Sequence, residues 1–157
     1  MSEQEYLQKI VLKGYGKFID TTPLRNRLTQ GESLVDVAFF YLDRYCHYRD
    51  LLHFLFVMRG ILPSGKQVEA VLAVDDYDSG IIACWKIGKE FTEEAGELLL
   101  DLCAYAYKND AKNTEFLAGE TWGAPLQRDL AADPPDYVLH YQLPAITVRA
   151  IPERIPE

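Results

Sequence analysis

Cysteine is scarce in this sequence, and so are histidine, methionine and long apolar runs. Cys46, Cys84 and Cys103 are odd in number and far apart, which excludes a Cys-x-x-Cys motif and favours reduced thiols over a disulfide framework. Reduced thiols, and hence a cytoplasmic address, are expected. The longest apolar stretch, residues 51–58, is interrupted by His53. A spanning helix needs about 20 apolar residues, so none is expected to cross a membrane. Residues 1–6 have neither the basic start nor the apolar run of a signal peptide.

Cations are also in short supply, with 16 Lys and Arg against 24 Asp and Glu and a net charge of −8. Binding to a phosphate backbone requires cations that displace condensed counterions, so nucleic acid is not an expected partner. Gly-x-Ser-x-Gly and His-Glu-x-x-His are both missing. No catalytic residue, metal-ligand set or cofactor is therefore assigned.

What remains is ordinary globular composition, 48% apolar and 25% charged over 157 residues. It is read as one domain spanning residues 1–157, large enough to bury a core without metal or disulfides. Ser2 and Glu5 match a capping box ahead of Tyr6, Leu7, Ile10 and Val11 on one helical face, with Gly14 as the stop. Thr22 and Pro23 open a short helical turn that points Leu24 and Leu28 inward. Residues 34–48 carry Leu34, Val37, Ala38, Tyr41, Leu42 and Tyr45 at helical spacing. A three-stranded antiparallel meander is expected over about residues 51–87. Pro63, Ser64 and Gly65 form its first turn and residues 75–80 its second. Helix remains an alternative for residues 51–59.

Residues 93–108 look most helical of all. Thr92 is a good cap, and Ala95, Leu98, Leu99, Leu102, Cys103 and Ala106 follow a helical stripe. Cys103 reads there as a small core residue. The Pro-rich tail offers edge strands over residues 137–142 and 145–151, because proline cannot donate to a central ladder. The expected class is α+β, a meander packed against the helices 34–48 and 93–108.

Several constellations invite chemistry. Residues 60–66, from Gly60 to Lys66, approach a phosphate-binding loop, but Gln67 stands where a magnesium-holding hydroxyl belongs. The turn Asp75, Asp76, Tyr77, Asp78, Ser79, Gly80 lacks the remaining oxygens of a calcium loop. Asp43 and His47 can meet at i, i+4 on a helix, as an exposed pair or an oriented base. His140 falls on a tail strand and His53 among aromatics, a scatter that makes a weak metal site.

The acidic residues are more concentrated. Residues 75–136 hold 14 acids and 5 bases, and Glu93, Glu97 and Asp101 form an i, i+4, i+8 row. With Tyr77, Glu120 and Trp122 as neighbours and anchors, Asp75, Asp76, Asp78, Glu93, Glu97 and Asp101 define a candidate partner-binding surface. The leading expectation is a non-enzymatic acidic protein that clamps a basic protein, as an inhibitor, antitoxin or immunity-type protein would. The alternatives are a small enzyme or nucleotide binder using Lys66 or the Asp43/His47 pair, and a homo-oligomeric adaptor.

Overall fold

The computed structural model describes residues 10–15, 18–25, 27–32, 34–40, 54–74, 81–119 and 121–151. The described chain is mainly β. Its strands are β1 (Ile10–Tyr15), β2 (Phe18–Ile19), β3 (Leu34–Phe40), β4 (Leu55–Ile61), β5 (Gln67–Val71), β6 (Ala73–Val74), β7 (Ile81–Ile87), β8 (Gly96–Ala106), β9 (Tyr137–Gln142) and β10 (Ile146–Val148). Helix α1 (Asp110–Ala118) and two short 3₁₀ turns complete the described elements. One mixed sheet runs β5-β4-β8-β9-β2-β1-β3-β7-β6, and β10 pairs with β8. Neighbours are antiparallel except β1 with β3 and β2 with β9.

The two ends of that order are adjacent in the chain. Only Leu72 separates β5 from β6, and its amide donates to the Phe56 carbonyl at 2.8 Å. Residues 67–74 thus act as one bent strand, pairing with β4 through the first part and with β7 through the second. Such a strand joins what would otherwise be two open edges, the way corners are turned in closed β architectures. The space inside is filled by Leu12, Ile19, Phe56, Met58, Trp85, Phe91 and other apolar side chains from nearly every strand. Trp85 meets Phe91 edge to face at 5.2 Å between ring centres. Gly60 faces this packing, where a Cβ would lie 3.0 Å from the Phe91 ring and 3.2 Å from Leu98.

The α+β expectation is therefore overturned. Residues 93–108 do not form a helix, and β8 occupies Gly96–Ala106. Gly96 sits at φ +124°, which a helix does not accommodate. Apolar residues at nearly every position from Leu98 to Ala106 satisfy a helical period as readily as an alternating one. Pairing decides between them: all seven residues of β4 pair with β8 along one side, while β9 and β10 pair along the other. The helix expected at 34–48 is likewise β3 over its first seven residues, and its remainder lies outside the described residues. Residues 10–15 are β1 rather than a helix end. Of the two C-terminal strands expected at an edge, β9 is internal, between β8 and β2, whereas β10 pairs with β8 alone among the described strands and is an edge.

Local chemistry was legible where turns are tight. Residues 62–66 turn β4 into β5 around Gly65 at φ +93°, and the Leu62 amide donates to the Lys66 carbonyl at 2.9 Å. Thr22–Leu24 is a 3₁₀ turn preceded by Asp20, whose carboxylate accepts from the Thr22 amide and hydroxyl, with Leu24 and Leu28 buried.

The outer face of β8 is covered over part of its length. A second cluster, Leu55, Val57, Val71, Cys103, Tyr105 and Tyr107, is roofed by Leu117 of α1 and by Leu126 and Leu130 beyond it. Asn113 pins the roof: its amide oxygen accepts from the Tyr107 N–H at 2.6 Å and its amide nitrogen donates to the Tyr107 carbonyl at 2.8 Å. Residues 123–124 run beside β5, with the Val71 amide donating to Ala124 and the Gly123 amide to Val71.

Candidate functional site

Strand alternation sends Leu98, Leu100, Leu102 and Ala104 inward and Leu99, Asp101, Cys103 and Tyr105 outward. Registration with the neighbouring strands then builds ladders across the outer face. Gln67, Ile61 and Leu99 form one rung, and Glu69, Arg59 and Asp101 the next. Val71, Val57, Cys103 and His140 form the third. Roof cover reaches the third rung and stops short of the first, so the surface grades from dry at Cys103 to wet at Leu99 along β8.

A groove of about 850 Å³ opens over the wetter rungs. Ile61 and Leu99 lie on it as a registered pair, 41% and 47% exposed. Glu69, Glu90 and Asp101 supply anionic lining against the single guanidinium of Arg59. Arg59 is engaged on two sides, by Glu69 at 3.8 Å and by the Tyr105 ring at 5.9 Å. The groove therefore presents apolar surface within a net negative field.

At the boundary between dry and wet, three different donor atoms converge. Cys103 Sγ lies 3.3 Å from Asp101 Oδ2 and 3.4 Å from His140 Nδ1, which is itself 3.6 Å from Asp101 Oδ2. Cys103 is sealed, whereas the His140 and Asp101 side chains are 61% and 48% exposed. Burial pushes the Cys103 thiol up to about 11, the Asp101 charge adds to that, and the Tyr105 hydroxyl opposes it. Burial raises the Tyr105 phenol as well. A neutral, sealed thiol is a poor nucleophile, so the trio does not work as a Cys/His catalytic pair in this state. Its sulfur, imidazole and carboxylate are instead a set of metal-binding atoms.

Of the residues expected to bind a partner, Glu93, Glu97, Asp101 and Trp122 lie among the described residues. Asp75, Asp76, Tyr77, Asp78 and Glu120 lie outside the described residues, as do Asp43 and His47. Glu93 is not on a helix; it precedes β8 and holds Lys66 at 2.8 Å, which keeps that amine above its usual range. No helix begins at Lys66, which closes a hairpin turn. Glu97 and Asp101 do share a face, but as strand residues four apart they are separated by about 13 Å rather than by one helical turn. Trp122 is 45% exposed, three residues before the groove-lining Pro125. Arg59, Glu69, Cys103 and His140 were missed as site residues. Their signal was an alternating Asp-x-Cys-x-Tyr in β8, and it becomes a site only through pairing with distant strands, which brings Cys103 to His140 across 37 residues.

No protein-family model matches the chain, and no curated protein matches it. Among the described residues no helix is long and apolar enough to cross a membrane.

Proposed function

We propose that the chain is a binding protein whose outer β5–β4–β8 face receives a basic segment of a protein partner. The observation that carries this reading is the exposed Ile61/Leu99 pair set in a groove with three carboxylates and one engaged guanidinium. Exposed apolar side chains gain by burial against a partner, while the carboxylates select cations and speed their approach. The groove thereby supplies what a row of acids alone did not, an apolar floor that can hold a segment once it arrives. Glu97, on the same strand face, extends the anionic rim, and the exposed Trp122, three residues before the groove-lining Pro125, is the candidate anchor.

The test begins with affinity capture from native lysate at low and high salt, followed by surface plasmon resonance on the captured partner. Reversal of Glu69, Glu90 and Glu97 to lysine should slow association strongly at low salt, where screening is weakest. Leu99→Ala or Trp122→Ala should speed dissociation with little salt dependence. An association rate indifferent to both the charge reversal and the salt would end this reading, as would a partner that is acidic or a nucleic acid.

A further inference from the structure

The trio on β8 and β9 has the dimensions of a metal site. A tetrahedral zinc ion, bonded at about 2.3 Å to sulfur and about 2.0–2.2 Å to nitrogen and oxygen, spaces its ligand atoms about 3.4–3.6 Å apart. The three separations among Cys103 Sγ, His140 Nδ1 and Asp101 Oδ2 are 3.3, 3.4 and 3.6 Å. We propose that Asp101, Cys103 and His140 bind one zinc-class divalent cation on the outer face of the sheet, with the fourth coordination position open.

Strand geometry preorganises the donors. Cys103 and His140 are register partners on adjacent strands, and Asp101 precedes Cys103 by two residues on the same face, so all three side chains leave one side of the sheet together. The donor set selects the ion. Thiolate and imidazole suit zinc and its borderline neighbours, whereas magnesium and calcium want oxygen alone. Cys103 is sealed within the second cluster, while the imidazole and carboxylate beside its sulfur reach toward water, which gives an ion a route of entry. On binding, the thiol proton is released to solvent as sulfur takes up the metal. Asp101 also lines the groove, so a donor from whatever occupies the groove can complete the coordination. Three protein ligands and one exchangeable position are the arrangement of zinc sites that bind or activate a ligand, whereas structural sites use four.

This inference does not rest on the groove receiving a basic partner, because zinc binding is read on the chain alone. The experiment titrates ZnCl₂ into the chelator-treated protein by calorimetry, and follows Co²⁺ uptake by absorption. One ion per chain is expected. His140→Ala and Cys103→Ser should each weaken it more than about 100-fold, since even outer-shell changes cost about 10–100-fold. Cys103→Ser should also abolish the thiolate-to-cobalt charge-transfer band. Zinc should raise the melting temperature of the parent but not of His140→Ala, whose exposed side chain can be removed without loss of fold. Glu32→Gln, an exposed carboxylate outside the triangle, should leave affinity unchanged. The site is overturned by no binding, by a cobalt adduct without the thiolate band, or by affinity that falls as much in Glu32→Gln as in His140→Ala.

Discussion

On the inner face of β8, Leu98, Leu102 and Ala104 are sealed among hydrocarbon from almost every other strand. On the outer face of the same strand, Leu99 is half in water, Asp101 is partly so, and Cys103 and Tyr105 are dry under a roof. One face is uniform and the other graded. The uniform face makes the fold, because an interior shared by all strands gains most from complete burial. The graded face makes the site, because a polar group there can be desolvated enough to matter and still be reached. The difference is set less by the strand itself than by how far α1 and the chain after it extend across the sheet.

The largest expected effect tests the two faces against each other. Leu102→Ala should cost about 2–5 kcal/mol, the range for a buried leucine that leaves a cavity. Leu99→Ala should stay within about 0.5 kcal/mol, as surface substitutions do. Chemical denaturation of both variants checks this, and equal losses would mean the faces are wrongly assigned. A helix over residues 93–108 would have made the Leu99 change as costly as the Leu102 change, so the same pair of variants separates strand from helix.

The next effect concerns the roof. Asn113→Ala leaves the buried amide and carbonyl of Tyr107 without their side-chain partners. A loss of about 1–3 kcal/mol is expected, the cost of an unsatisfied buried polar group. Hydrogen exchange should quicken in α1 while the amides of the β4–β8 ladder stay protected. Parent-like stability and unchanged exchange in α1 would show that the roof is held by its leucines alone.

The smallest effect probes the boundary. With metal chelated, the folded Cys103 thiol ionises near 11, above its value of about 8.5 in an unfolded chain. A raised folded-state value means the unfolded state gives up its proton first. The associated stability is complete below about pH 8.5 and is lost as pH climbs toward 11. Denaturation of the parent and of Cys103→Ala across pH 8 to 11 should therefore show a shallower decline for the variant. Parallel curves would place the thiol in a wetter setting than the roof implies.

Much that is local could be read from residues alone. Pro63, Ser64 and Gly65 make a hairpin turn wherever they sit, because their backbone preferences are intrinsic. Leu24 and Leu28 went inward behind a proline-opened turn for the same reason. The excess of acids over bases, and its concentration after residue 75, also belong to composition and need no fold to be known. The identity of β8 was not legible. Leu98 to Ala106 is apolar at nearly every position, because one side of the strand faces the interior and the other a roof, and doubly covered strands lose the alternation that marks them. The site was still less accessible. Asp101 and Cys103 meet His140 only because β8 and β9 pair in one register out of many, and a slip of one residue would turn His140 to the other face. Composition and turn chemistry act over a few residues and were settled by the sequence itself. Strand pairing and face cover are choices among distant segments, so the tertiary structure alone decided where the groove and the three donors would come together.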